Sequence, residues 1–255
     1  MAIEIDTVTE DCPNCGASLA NTLKRQGQPA IKLIAPKLQT AYDLTRFRLD
    51  VEKIGKLLPI ESYGTLCITG QHANLLLTRL LVRTLLPANH GGLASPNVVV
   101  VDAGNKSDFY QTVNFVRQYG LDVRNTLDRI IISRPFTIYQ LKRLLQELPK
   151  AVQKYQARAV IIPGLLDLFD DPSVKKKEAK LVIERILRLI NDVSSKLLVI
   201  ASMQQSDYAK AMLAKFDKRI VLSNVGCNKV NINIYNKSKT DATMLIEKEL
   251  SLVGK

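Results

Sequence analysis

Residues 66–81 read LCITGQHANLLLTRLL. A short apolar strand runs into a single glycine, Gly70, and a leucine-rich helical pattern follows almost at once. Strand, glycine loop and helix in this order form the layout of a phosphate-binding loop, where backbone N–H groups at a helix start cradle a nucleotide. A working loop of the form G-x-x-x-x-G-K-[ST] uses its second glycine for close backbone approach. Its lysine neutralises the β/γ charge, and its hydroxyl holds Mg²⁺. Counted from Gly70, those three positions are Leu75, Leu76 and Leu77. Leucine cannot neutralise phosphate, and a buried unpaired charge costs several kcal/mol. The three leucines are therefore expected to turn the loop into core and let the helix start early. A shifted register would recruit Thr78 and Arg79, but the required glycine would still be absent. His72 reads as a plain loop histidine.

Working outward, β-branched runs alternate with amphipathic segments. Strands are expected at 65–69, 97–102, 129–133, 159–163 and 196–202, each apolar on both faces as in a parallel sheet buried between helices. Helical patterns cover 74–86, 109–119, 138–155 and about 174–193. In the third, Ile138, Leu141, Leu144, Leu145 and Leu148 share one stripe, and Pro149 is expected to kink or restart the helix. Three alternating strands follow, RIVLSN (219–224), KVNINIY (229–235) and TMLIEKE (243–249), separated by turn residues. The pattern predicts an α/β fold, a doubly wound, mostly parallel sheet closed on one side by a C-terminal antiparallel meander. Residues 39–255 are read as one core domain and residues 1–38 as an N-terminal appendage. Within that appendage only residues 30–35 suggest a strand.

Acidic residues do not repair the loop. A P-loop ATPase places an Asp at the end of a later apolar strand to organise Mg²⁺. Here the fourth strand ends in Pro163 and Gly164. Asp167, Asp170 and Asp171 lie beyond it and read as turn and helix-start acids ahead of Val174. Asp102 ends its strand but has no partner lysine or acid in the pattern.

The chain has 255 residues, 46% of them hydrophobic, and a formal net charge of +12. That excess points to acidic partners, of which nucleic acid is the commonest; a basic inert surface or an acidic protein partner is the alternative. Residues 117–158 carry nine Lys/Arg against three Asp/Glu, and residues 201–255 carry nine against five. The apolar runs are far short of a bilayer span, and the acidic N-terminus has no secretory plan, so no membrane and a cytoplasmic location are expected. The four cysteines imply no disulfide framework. Cys12 and Cys15 form CPNCG, half of a zinc ribbon that needs two more ligands. Cys67 reads as core, Cys227 is remote, and His90 has no supporting spacing, so an exposed pair without metal is the default.

Six segments in order resemble one family. They are LDVEKIGKLLPIESYGTLCITG (49–70), NVVVVDAGNKSDFY (97–110), RIIISRPFTIYQLKRLL (129–145), ARAVIIPGLLDLF (157–169), LLVIASMQQ (197–205) and the hairpin region 219–250. Together they are similar to the RecA/RadA recombinase-like ATPase core, closest to archaeal RadA and its short RadB-type paralogues, and the likeness covers about residues 45–254. The resemblance implies a RecA-like three-layer fold. It sets the family's lysine and hydroxyl on Leu76 and Leu77, its magnesium Asp on Pro163 and its catalytic glutamate on Gly104. Gln204 falls at or beside the glutamine that senses the γ-phosphate. The implied member is a pseudo-ATPase with no catalytic residue and no cofactor. As an accessory paralogue it would bind DNA, single- or double-stranded, or a RadA-type recombinase or other repair protein, in recombination or DNA repair.

The family's DNA loops follow its fourth and fifth strands. Here they are 170–180, with Lys175, Lys176 and Lys177, and 204–219, with Lys210, Lys215, Lys218 and Arg219. Tyr208 and Phe216 are the stacking candidates in the second loop. A solvated helix start is the alternative for the lysine triplet, and a packed helical stripe (Tyr208, Met212, Phe216) for the second loop. No Phe-x-x-Ala assembly motif is seen in residues 30–50, so a homodimer or heteromer is expected in preference to a filament. Two competing functions remain open: a protein–protein scaffold with a basic surface and no DNA role, and a residual ATPase completed by a neighbouring subunit through Thr78, Arg79 or Asp102.

Overall fold

The computed structural model describes residues 46–47, 60–204, 206–224, 229–237 and 239–247. The appendage with Cys12 and Cys15, the strand expected at 30–35, the lead-in through residue 59 apart from 46–47, and Cys227 lie outside the described residues. Two short strands, β1 (Arg46–Phe47) and β2 (Ile60–Glu61), pair antiparallel. The main sheet holds β3 (Gly64–Gly70), β4 (Val98–Val101), β5 (Ile130–Ser133), β6 (Ala159–Ile162), β7 (Leu198–Met203), β8 (Lys218–Asn224), β9 (Lys229–Asn236) and β10 (Lys239–Glu247). Its order is β10-β9-β8-β3-β7-β6-β4-β5. The six strands from β8 to β5 run parallel, and β9 and β10 add the antiparallel closure. This is the α/β, mostly parallel architecture with a C-terminal meander that the sequence pattern predicts.

Helices cover both faces. Helix α1 (Ala73–Leu85) and α2 (Phe109–Gln118) pack on one side with Leu66, Ile68, Val98 and Val100 of the sheet. After the short α3 (Val123–Asp128), the long α4 (Ile138–Tyr155) and α5 (Lys176–Ser194) pack together on the other side. There they cover Cys67, Val99, Val160 and Val199, and the short α6 (Ala209–Leu213) joins them. Each leucine fully buried in such a layer contributes about 2 kcal/mol. Among the described residues no helix is long and apolar enough to cross a membrane.

Three expectations need correction. Helix α4 does not restart at Pro149 but continues through it, with Leu145 and Leu148 before it and Val152 and Tyr155 after it packed against the same layer. Strand β5 is only half-buried, because it is the outermost strand and has one neighbour, β4. Lys218 belongs to β8 and not to the second loop, and Arg219 takes its place in the strand expected at 219–224: Lys218 sits opposite Leu66, and Arg219 opposite Cys67 on one side and Tyr235 on the other.

The neighbouring strands β3 and β8 are also fastened at their starts. Asp217 Oδ2 accepts from the N–H and the Oγ1 of Thr65 at 2.9 and 2.8 Å, and the Asp217 N–H donates to Thr65 Oγ1 at 2.9 Å.

Candidate functional site

Beyond the carboxyl ends of β3, β7 and β8 the sheet opens into a groove of about 690 Å³, where ligands usually sit in such folds. Its floor is the short link between β3 and α1. Gly70 turns at φ +93°, His72 takes a left-handed φ of +65°, and the helix starts at Ala73, so only two residues separate strand from helix. Leu76 N donates to His72 O at 3.0 Å, which closes the first turn. Leu76 and Leu77 are buried in the core against the sheet. Leu75 fills the expected core role only in part: it packs against the same cluster but is half-buried and also lines the groove. Thr78 donates back to Asn74 O at 2.8 Å. Buried Arg79 donates through Nε to Tyr119 Oη at 3.3 Å and lies 5.8 Å from the Phe115 ring centre. Both are thus tied into the helix layer, and neither lines this groove.

Polar side chains complete the wall. Ser202 Oγ donates to Asn74 Oδ1 at 2.6 Å and accepts from Gly164 N at 3.0 Å, which links α1 to the ends of β6 and β7. Exposed Gln204 lines the same groove. Among the described lining residues there is no lysine or arginine, and Asp167 is the only carboxylate.

Pro163 is buried, and just past it the chain runs against the turn after β4. Gly104 N donates to Pro163 O at 3.0 Å. A Cβ at Gly104 would lie 2.4 Å from Asp167 Oδ2 and 2.9 Å from Gly164 Cα. The close approach of these two backbones leaves no room for a side chain where the resemblance sets a glutamate. Asp102 is fully buried and holds its own turn: it accepts from the N–H of Lys106 at 2.8 Å, from Ser107 N at 3.3 Å and from Arg134 Nε at 3.1 Å.

Asp167 opens a 3₁₀ turn (Asp167–Asp170), as a turn acid should, well ahead of α5, which begins only at Lys176; it faces Lys106 Nζ at 3.6 Å. Burial pushes its carboxyl above the ordinary range; Lys106 opposes that shift, while Asp170 and Asp102 add to it. Asp171 is held below its ordinary value by bonds from Ser173, whose N–H donates at 2.8 Å. A carboxyl with a raised folded-state pKa holds its proton longer in the native form than in the unfolded one. Stability therefore falls as pH climbs from the ordinary carboxylate range, near about pH 4, toward neutrality. Asp167→Asn should remove that slope and melt higher than the parent at neutral pH, with the difference closing in acid. Thermal melts across that range check it, and a variant that melts lower at pH 7 would reverse the assignment.

The basic residues expected to hold nucleic acid are not brought together. Lys175 is the residue before α5, and with Lys176 and Lys177 it stands exposed at the carboxyl edge of the sheet. Lys176 meets Asp207 at 3.9 Å with both side chains largely in solvent, a pair worth little. Lys210 and Lys215 are exposed on and after α6. Lys218 and Arg219 open β8 at the opposite, amino edge, with Arg219 5.0 Å from the Tyr235 ring centre. Phe216 is buried, and Tyr208 packs edge-on to Phe169 at 6.3 Å, so both serve the core layer. Cys67 is buried, and its thiol is pushed far above the usual range by that burial. His90 is exposed in a single 3₁₀ turn, and no group of three or more metal-binding side chains occurs among the described residues. The Lys106–Asp167 pair and Arg134 were not anticipated; the AGN turn after Asp102 is the one signal that marks their surroundings.

No protein-family model and no curated protein matches the chain.

Proposed function

We propose that this chain is a non-catalytic RecA/RadA-like core that binds DNA and serves a RadA-type recombinase or another repair protein in recombination or repair. The observation that carries the reading is the burial of Leu76 and Leu77 in the core, on a helix that already starts at Ala73. Among its described lining residues the groove has no lysine or arginine to meet a triphosphate, while a net charge of +12 offers a polyanion many counter-charges. The protein works in the cytoplasm as a homodimer or in a heteromer.

Two measurements test this. Titration of a fluorescent ATP analogue with Mg²⁺ should show no saturation; a micromolar Kd overturns the pseudo-ATPase reading and favours an ATPase completed by a neighbouring subunit. Gel shifts on DNA should weaken as salt rises, by about 50-fold between 50 and 200 mM if four single-strand phosphates are contacted. Absence of binding even at low salt would leave the scaffold reading in its place.

A further inference from the structure

Four large aromatic side chains stand in solvent at one end of the sheet: Phe109 (45% exposed), Tyr110 (87%), Phe136 (80%) and Tyr139 (49%). They follow β4 and β5, parallel neighbours in which Val101 lies opposite Ser133, so the turns after them sit side by side. Single exposed rings are ordinary, but four on adjoining turns make a patch.

The backbone that carries the rings is fixed at two helix starts. Asp108 Oδ1 accepts from Gln111 N at 3.0 Å ahead of α2. Thr137 Oγ1 accepts from Gln140 N at 3.2 Å, and Gln140 Oε1 accepts from Phe136 N at 2.7 Å, ahead of α4.

Cations are interleaved with them. The Arg134 guanidinium lies 5.7 Å from the Phe109 ring centre, and Lys142 Nζ 6.0 Å from that of Tyr139. The Tyr139 hydroxyl donates to Glu178, which joins the patch to the start of α5 and its exposed Lys175, Lys176 and Lys177. Asp102 offsets part of the charge on Arg134, whose side chain is still 39% exposed. Asp108 and Glu178 are acids within the patch, each occupied by a bond already described. Across residues 129–158 seven Lys/Arg stand against a single acid, Glu147.

We propose that this end of the sheet is a platform for single-stranded DNA. Tyr110, Phe136 and Tyr139 stack on bases, and Arg134, Lys142 and the lysine triplet follow the phosphates. The assignment rests on the DNA reading above and adds the surface and the strand preference. A duplex keeps its base faces stacked inside and offers these rings nothing.

The test is fluorescence anisotropy with labelled dT20, with a 20-base-pair duplex and rU20 as competitors. The parent should bind dT20 at least tenfold more tightly than the duplex, and no less tightly than rU20. Tyr110→Ala with Phe136→Ala should weaken dT20 binding about tenfold or more, with the salt slope unchanged because no cation is removed. Both rings lie mostly in solvent, so the double variant should keep the parent's melting temperature. The chain has no tryptophan, so Phe136→Trp gives a single reporter whose emission saturating dT20 should quench. Parent-like affinity in the double variant, or unquenched emission at saturation, overturns the platform and leaves DNA binding standing elsewhere. Stronger competition by rU20 or by duplex overturns the choice of single-stranded DNA. A parent that binds no dT20 at low salt overturns both readings.

Discussion

Leu76→Lys, which restores the lysine of a phosphate loop, should unfold the protein and bind no nucleotide. The Leu76 side chain is buried on α1 among Leu77, Leu80 and the sheet residues Leu66 and Ile68. An ammonium placed there loses its water and gains no anion. Buried lysines lower their pKa by up to about 5 units, and with the lost burial the penalty is about 5 kcal/mol or more. That approaches the whole stability of an ordinary domain. The penalty should relax as pH rises toward about 10, where the unfolded lysine also loses its proton. Leu76→Met is the control and should cost under about 1.5 kcal/mol. Urea titration of both variants, with Mg²⁺–ATP added to one set, reads the outcome. A lysine variant with the parental midpoint and saturable ATP binding would show that the helix start can reopen as a phosphate site.

Gly70→Ala should be the most damaging small substitution in the groove. Gly70 has φ +93°, and a Cβ there would lie 1.9 Å from Leu222 O and 2.9 Å from Leu222 C. The obstacle is the backbone of β8, whose Leu222 is the register partner of Gly70, so relief requires opening the β3–β8 ladder. Left-handed strain alone costs about 1–2 kcal/mol, and forcing the strands apart brings the total to about 4 kcal/mol. Gly120 separates the two contributions. Its φ is +66°, but nothing lies within 4 Å of an added Cβ, so Gly120→Ala should show the conformational cost by itself. Denaturant midpoints of the two variants compare them directly; equal losses would mean that β8 yields to the methyl group.

Much of the architecture was legible because burial wrote it into residue type. VVVV at Val98–Val101 and AVII at Ala159–Ile162 are unbroken apolar runs, and the stripe Ile138, Leu141, Leu145 and Leu148 repeats at helical spacing. Other features depend on neighbours that a linear pattern does not contain. IIIS reads the same in the middle of a sheet and at its edge, and only the strand order makes β5 outermost. Six residues are too few to show a helical period, so α3 stayed hidden. Lys218 looks like the end of a basic loop until the ladder pairs it with Leu66. At the groove, the loss of the lysine and hydroxyl positions was plain in the sequence, but the half-exposed Leu75 was not. Nor was the Gly104–Gly164 approach, since glycine in a turn signals freedom and tertiary structure decides what occupies the space. Phe136 and Tyr110 show the same limit from the other side, because an aromatic residue ordinarily reads as core.

Thr65 and Asp217 are 152 residues apart, and β3 finds both of its neighbours, β7 and β8, only near that far end. During synthesis at about 5–20 residues per second, the first main-sheet strand waits roughly 8 to 30 s for its full set of sheet neighbours. Through that interval α2 and β4 can cover part of α1, but the sheet beneath it still lacks β7 and β8. Expression should therefore depend on chaperone capacity far more than the stability of the finished fold would suggest, and truncation before β8 should give aggregates instead of a smaller domain.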